Sequence, residues 1–250
     1  MGPEVRIMAI NGSPKPKNNT SILLEEAIRG ALDVGGVEVE RFGFAGKKIS
    51  PCLGGCSAYC RQHGICARED DFDEFASMWL RADGIIFGTP IYHMGPPSQV
   101  KAALDRLGEI FFASSGGRYP RFCKVGGAIV QGGVRYGGQE VVIQQIIDHF
   151  LLMNCLPVTG DMPESYLGVG GFAPNTEYLR EDRVARETAY SLGRRVAEMA
   201  KIVKAGVQAL SAELPAEYFY SRRLPDRNKG TPGSSRGGHE RAERGSEGDR

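Results

Sequence analysis

Apolar positions along this chain follow two patterns that alternate. Short, nearly continuous apolar runs lie at 4–10 (EVRIMAI), 83–90 (DGIIFGTP), 122–131 (FCKVGGAIVQ) and 155–160 (CLPVTG). Runs of this length, rich in β-branched residues and bounded by turn formers, predict strands buried on both faces. The stretch 37–44 (VEVERFGF) alternates instead and predicts a strand with one wetter face. Between the strands the period becomes helical. Leu24, Ala27, Ile28, Ala31 and Leu32 recur at three- and four-residue intervals over 20–34, and Gly35 and Gly36 supply the stop. A second helix, 70–82, opens on acidic residues that suit the positive pole of its dipole. A third, 97–111, opens on proline. Two more are predicted over 138–154, with a broad apolar face, and 181–205.

Strand and helix alternate five times. That order predicts an α/β fold: a doubly wound, five-stranded parallel sheet with helices on both faces. From Arg222 onward apolar side chains almost vanish, while 8 Lys or Arg and 5 Asp or Glu appear. Such a stretch has too little to bury to offset the entropy of ordering it. The predicted organisation is therefore one folded domain, 1–221, and a disordered tail, 222–250.

Charge and hydropathy remove several classes of function. A formal charge of +1 gives no electrostatic reason to expect nucleic acid or an anionic membrane. No apolar run nears the roughly 20 residues that span a bilayer. The opening MGPEVRIMAINGS lacks the order of a signal peptide and the hydroxyl residue of a myristoylation site. A cytosolic protein is the expectation, and disulfides are rare in the cytosol.

In a doubly wound sheet, ligands bind beyond the carboxyl ends of the strands. The loop 11–21 (NGSPKPKNNTS) runs straight into a helix start, where free N–H groups and the hydroxyls of Ser13, Thr20 and Ser21 suit a phosphate. It lacks the spacing of a P-loop and of a dinucleotide fingerprint. In TPIYHMGPPS (89–98), Tyr92, His93 and Met94 sit in a proline-stiffened loop that can wall a flat ring. The alternative there is a rigid turn with Tyr92 packed on the core. In QGGVRYGGQE (131–140), four glycines let backbone approach a ligand closely. His149 is expected to be structural, and Cys123 and Cys155 small buried side chains. FFASSGGRYP (111–120) is expected to expose two phenylalanines.

These motifs, NGSPKPKNNT, GTPIYHMGPPSQVKAALDR and GGVRYGGQE in that order, resemble the flavodoxin-like NADPH-dependent FMN reductases, and among them the iron–sulfur flavoproteins. The resemblance covers about residues 4 to 205. It implies that Ser13, Asn19, Thr20 and Ser21 hold the FMN phosphate. Lys15 stands where the family often has arginine, which keeps the charge without the bidentate fork. It further implies that Pro90, Ile91, Tyr92, His93 and Met94 border the isoalloxazine ring, with Gly132 and Gly133 on the other edge.

PCLGGCSAYCRQHGIC (51–66), inserted after the second strand, carries Cys52, Cys56, Cys60 and Cys66. Iron–sulfur flavoproteins have a four-cysteine cluster motif in this place, likewise followed by two aspartates. Their spacing is Cys-x2-Cys-x2-Cys-x5-Cys, whereas here it is Cys-x3-Cys-x3-Cys-x5-Cys. Three states stay open at this point: a [4Fe–4S] cluster, zinc held by four cysteines or by three with His63, and free thiols. The implied function is an FMN-dependent oxidoreductase or electron carrier passing electrons between FMN and a cluster, with reduced nicotinamide or a ferredoxin-like donor. The alternatives are a cluster-free NAD(P)H-dependent FMN or quinone reductase, and a non-enzymatic zinc or thiol redox sensor. No dedicated catalytic acid or base is expected, since the flavin carries the chemistry. The resemblance also implies a homo-oligomer, dimer or tetramer.

Overall fold

The computed structural model describes residues 4–134, 136–161 and 165–227. The predicted strands form a single parallel sheet: β1 (Val5–Asn11), β2 (Val37–Gly43), β3 (Gly84–Pro90), β4 (Val125–Gly132) and β5 (Leu156–Pro157), in the order β2-β1-β3-β4-β5. β1 is an inner strand, with Ile7 opposite Val39 on one side and Gly84 on the other. Side chains alternate across it. Ile7 and Ala9 enter the core beneath helices α1 (Thr20–Leu32) and α7 (Arg183–Ala209), while Met8 and Ile10 enter the core beneath α3 (Phe72–Arg81), α4 (Ser98–Ser114) and α5 (Gln139–Leu152). β3 is buried along its whole length, as expected of a strand covered on both faces.

The α1–α7 contact is close because two glycines make it so. A Cβ on Gly193 would stand 1.8 Å from the Ala27 carbonyl oxygen, and one on Gly30 would stand 2.0 Å from that of Tyr190. Backbone meets backbone at both points.

Three features differ from the pattern-based expectation. The strand predicted at 155–160 is only two residues long. β5 pairs with Val125 and Gly126, the chain then leaves the sheet, and β6 (Val169–Phe172) returns beside Ile129–Gly132. One sheet position is thus filled in two pieces; in the first, the N–H groups of Leu156 and Val158 bond to β4, and the missing N–H of Pro157 faces the open edge. Second, α4 runs to Ser114, so Phe111 is buried against Trp79 and Phe122, and of the two phenylalanines only Phe112 is exposed. Third, residues 222–227, placed by composition in the tail, dock on the body. Arg222 meets the buried Asp83 at 2.5 Å, and Arg227 meets Asp73 at 2.7 Å. Ion pairs hold this piece together with Leu224, a single apolar side chain packed on the core, and one such residue makes no hydrophobic pattern to read. The remainder of the predicted tail lies outside the described residues.

Candidate cofactor site and cysteine segment

The chain reverses its winding between β1 and β3, and the loops that follow these strands and β4 meet there. Gly12 donates to the Gly88 carbonyl at 2.7 Å, and a Cβ at Gly12 would strike Thr89 Oγ1 at 2.8 Å. The 11–21 loop closes around Asn18. Its Oδ1 accepts from Asn11 Nδ2 (3.2 Å) and from the Ser21 N–H (3.0 Å), and its Nδ2 donates to the Lys15 carbonyl (2.8 Å). Ser13 is buried and its Oγ accepts from the Lys15 N–H. Ser21 Oγ donates to the Asn18 carbonyl at 2.7 Å. The Asn19 side chain does not cap α1 and no acidic residue lies in its first turn, so beyond the Ser21 N–H that Asn18 holds, its positive end is uncompensated by charge. Lys15 and Lys17 are exposed beside it.

The five phosphate candidates do not stand alike. Thr20 is fully buried, and its Oγ1 accepts from Gln131 Nε2 at 3.3 Å. Asn19 Oδ1 accepts from Thr176 Oγ1 at 2.9 Å, at the start of α6 (Thr176–Glu181). Ser13 and Ser21 are tied within the loop, and the Lys15 side chain, exposed at its rim, has no partner among the described residues.

Beyond β3, Tyr92 and Gly95 exchange two backbone hydrogen bonds, at 2.8 and 3.0 Å. The residues between them, His93 (φ 48°) and Met94 (φ 62°), are both left-handed. That is a type I′ turn made without glycine, at a cost of roughly 1 kcal/mol or more for each residue. Tyr92 is not packed on the core: it is exposed, as are His93 and Met94, while Pro90 is buried and Ile91 partly so. The glycine loop rests against this turn. A Cβ on Gly132 would lie 2.7 Å from Ile91 Cδ1, and one on Gly138 would lie 2.8 Å from Met94 Sδ. Gly133 is exposed, with only Ala173 O near its Cβ position.

Gln131 joins all three loops. Its carbonyl accepts from the Ile91 N–H at 3.1 Å while its amide reaches Thr20. The sequence pattern shows Gln131 only as a polar residue ending an apolar run. In the sequence, Asn18 likewise carries nothing to set it apart from its neighbour Asn19.

The cysteine segment follows β2. Cys56 precedes the short helix α2 (Ser57–His63), which carries Cys60; Gly64 ends it in the left-handed conformation. All four thiols are free; Cys60 and Cys66 are buried, Cys52 and Cys56 partly so. Burial, and then the neighbouring Cys66, Cys56 and Glu109 together with Cys52, pushes the Cys60 thiol up to about 11. The four therefore share one neighbourhood. Among the described residues, however, no three Cys, His, Asp or Glu side chains are gathered closely enough to hold a single metal ion.

Two arginines attend these thiols. Arg106 is fully buried and donates through Nε to Cys66 Sγ at 3.3 Å. Arg68 Nε, two residues beyond Cys66, is buried and has no partner among the described residues. Four thiols and a buried orphan donor on one segment suit, in donor chemistry, an anionic sulfur-rich group. In donor chemistry the segment suits an iron–sulfur cluster; as it stands, it is open.

Loops that meet beyond the ends of β1, β3 and β4, at the switch point of a parallel α/β sheet, stand where the doubly wound class binds its ligands. Residues 5–163 match the family model of NADPH-dependent FMN reductases, and the chain belongs to that family. It is 36% identical to an iron–sulfur flavoprotein of Methanocaldococcus jannaschii over 200 residues, covering 80% of this chain and 100% of that one. It is 38% identical to an iron–sulfur flavoprotein of Archaeoglobus fulgidus over 195 residues, 77% of this chain and 96% of that one. A solved WrbA-like flavodoxin from Agrobacterium tumefaciens shares the fold, with a TM-score of 0.53 and 21% identity over 79% of this chain and 98% of its own. The chain is thus an FMN-dependent oxidoreductase with a flavodoxin-like sheet. Among the described residues no helix is long and apolar enough to cross a membrane.

Proposed function

We propose that this protein is an electron-transfer flavoprotein in which FMN works beside a [4Fe–4S] cluster held by Cys52, Cys56, Cys60 and Cys66. The observation that carries the flavin half is Gln131, which binds the ring loop through its carbonyl and the phosphate loop through its amide. The cluster half is supported by four free thiols in one neighbourhood, by the unpartnered Arg68 Nε and by the names of the two archaeal relatives.

When bound, FMN accepts a hydride and releases electrons one at a time. The chain's own part is to bind and orient. Lys15, the Ser13 hydroxyl and the Asn19 amide N–H groups, at the start of α1, neutralise and position the phosphate. Thr20, buried under Gln131, and Ser21, whose hydroxyl proton goes to the Asn18 carbonyl, hold the loop and the helix start in place. The Tyr92–Gly95 turn, with His93 and Met94 strained into place and Pro90 and Ile91 beneath it, offers a fixed wall to one side of the ring, and Gly132 and Gly133 leave room for the other. The donor in this reading is reduced nicotinamide or a ferredoxin-like protein. The protein works in the cytosol as a dimer or tetramer.

A second reading, a cluster-free NAD(P)H-dependent reductase of flavin or quinone, is favoured by the open arrangement of the thiols. Protein purified without air separates the two. Flavin bands with a broad shoulder near ~400 nm and four iron per chain support the cluster, as cluster ligation by four cysteines requires. Flavin bands alone support the second reading. Cys56→Ser should lower the iron content; iron unchanged by that substitution rules this segment out as the cluster's seat.

A further inference from the structure

The cysteine segment is held from outside by α4, along which α2 packs, and by Arg227, whose Nη2 donates to the Arg68 carbonyl at 3.0 Å. The side chain with most bonds to it is Arg106 of α4, a helix that begins just after the ring-bordering turn. The Arg106 guanidinium donates through Nη1 to the Ser50 carbonyl (3.1 Å), through Nη2 to the Arg68 carbonyl (3.1 Å) and through Nε to Cys66 Sγ (3.3 Å). Nη1 also meets both oxygens of Asp70, at 2.7 and 2.8 Å. Asp70 in turn accepts from the Ser50 N–H (2.9 Å) and the Phe72 N–H (3.1 Å). The guanidinium lies 4.2 Å over the Phe72 ring. Residues 50 and 70, either side of the four cysteines, are therefore clipped together on one buried cation. The first of the two aspartates after the last cysteine is the clip's anion.

Resting on the cluster reading, we propose that Arg106 is a positioning residue: it closes the base of the cysteine segment and sets Cys66 sulfur by a charge-assisted hydrogen bond, so that α4 governs the placement and the reduction potential of whatever those thiols hold. A fold-stabilising ion pair would need only Asp70. The Nε–Sγ contact and the two carbonyls use the planar fork of arginine, which a lysine ammonium cannot reproduce. A cationic donor on a ligand sulfur favours the more negative, reduced form of a cluster and so raises its potential.

The test compares Arg106→Lys with the unaltered full-length protein, both purified without air and loaded with FMN. Lysine keeps the charge and can still pair with Asp70. Hydrogen exchange is followed peptide by peptide, and the midpoint potential of the iron signal is measured by electron paramagnetic resonance. The expected result is about tenfold faster exchange confined to residues 50–70, with β1 and β3 unchanged, and an iron midpoint lower by about 59 mV, the one-electron equivalent of a tenfold shift. Unchanged exchange over 50–70 overturns the positioning role. Unchanged potential in iron-loaded variant overturns the role at Cys66 sulfur. Faster exchange throughout the sheet reduces Arg106 to a fold-stabilising residue and overturns both. Should the unaltered protein bind no iron, the cluster reading fails by itself, and the exchange comparison still decides whether Arg106 positions the segment.

Discussion

Gln131 Nε2 donates to Thr20 Oγ1 across 3.3 Å of buried space, linking the end of β4 to the start of α1. Neither residue need touch a ligand through that bond. Its effect is to fix where the helix start lies relative to the ring loop, which Gln131 holds through its own carbonyl. Gln131→Leu keeps the volume and leaves the Thr20 hydroxyl unpaired. Losing one buried hydrogen bond costs about 1–2 kcal/mol, equivalent to a roughly tenfold weaker FMN dissociation constant. Fluorescence titration of apoprotein with FMN checks it; an unchanged constant would show that the two loops hold their places independently.

The α1–α7 crossing makes a separate demand. A methyl on Gly193 would have to displace the Ala27 carbonyl, and no rotamer can relieve a backbone clash. Gly193→Ala is expected to destabilise by about 3 kcal/mol or more, through separation of the two helices. The urea midpoint should fall accordingly, whereas Gly206→Ala, inside the same helix where nothing lies within 4 Å, should hold it or raise it by up to about 1 kcal/mol of stability.

How far the chain explains itself varies with the kind of interaction. β1, β3 and β4 were legible because burial on both faces writes an unbroken apolar run, and α1 because its stripe has a helical period. β6 was not: Val169–Phe172 carries two glycines, and Gly171 is needed because a Cβ there would meet Leu23 Cδ1 at 2.7 Å. In the site, the loops could be read because turn formers and hydroxyls cluster locally. Gln131, Arg106 and Asp70 could not, since each is a single polar residue with decisive partners 20 or more positions away. The 222–227 piece shares that fate, its hold being Asp83 and Asp73.

Lys124 gives the protein a pH signature. Its ammonium is fully buried, donates to the Leu80 and Ala82 carbonyls at 2.9 and 2.5 Å, and lies 4.8 Å over Trp79. Burial, aided by the charge of Arg222, brings it down to about 7. An unfolded lysine holds its proton to about 10.4, so between these values the unfolded chain binds the extra proton and stability rises with pH. His149, lowered to about 4 by burial, has finished its own contribution by pH 7. Cys155, pushed up to about 12 by burial, opposes the rise only above about pH 8.5, where an unfolded thiol ionises. The thermal midpoint should therefore climb from pH 7 to 8.5, by up to about 1.4 kcal/mol of stability per unit. Lys124→Met should abolish the climb. A climb that persists in the variant assigns it to another group.

The most direct test of the flavin cradle is a paired titration of apoprotein with FMN and with riboflavin, followed by quenching of flavin fluorescence. The two ligands differ only in the phosphate that the α1 start and the 11–21 loop are placed to hold. FMN should saturate at one per chain and bind at least about a hundredfold more tightly, the worth of two or more charge-assisted hydrogen bonds. Equal affinity for the two, or no quenching by either, would contradict the account.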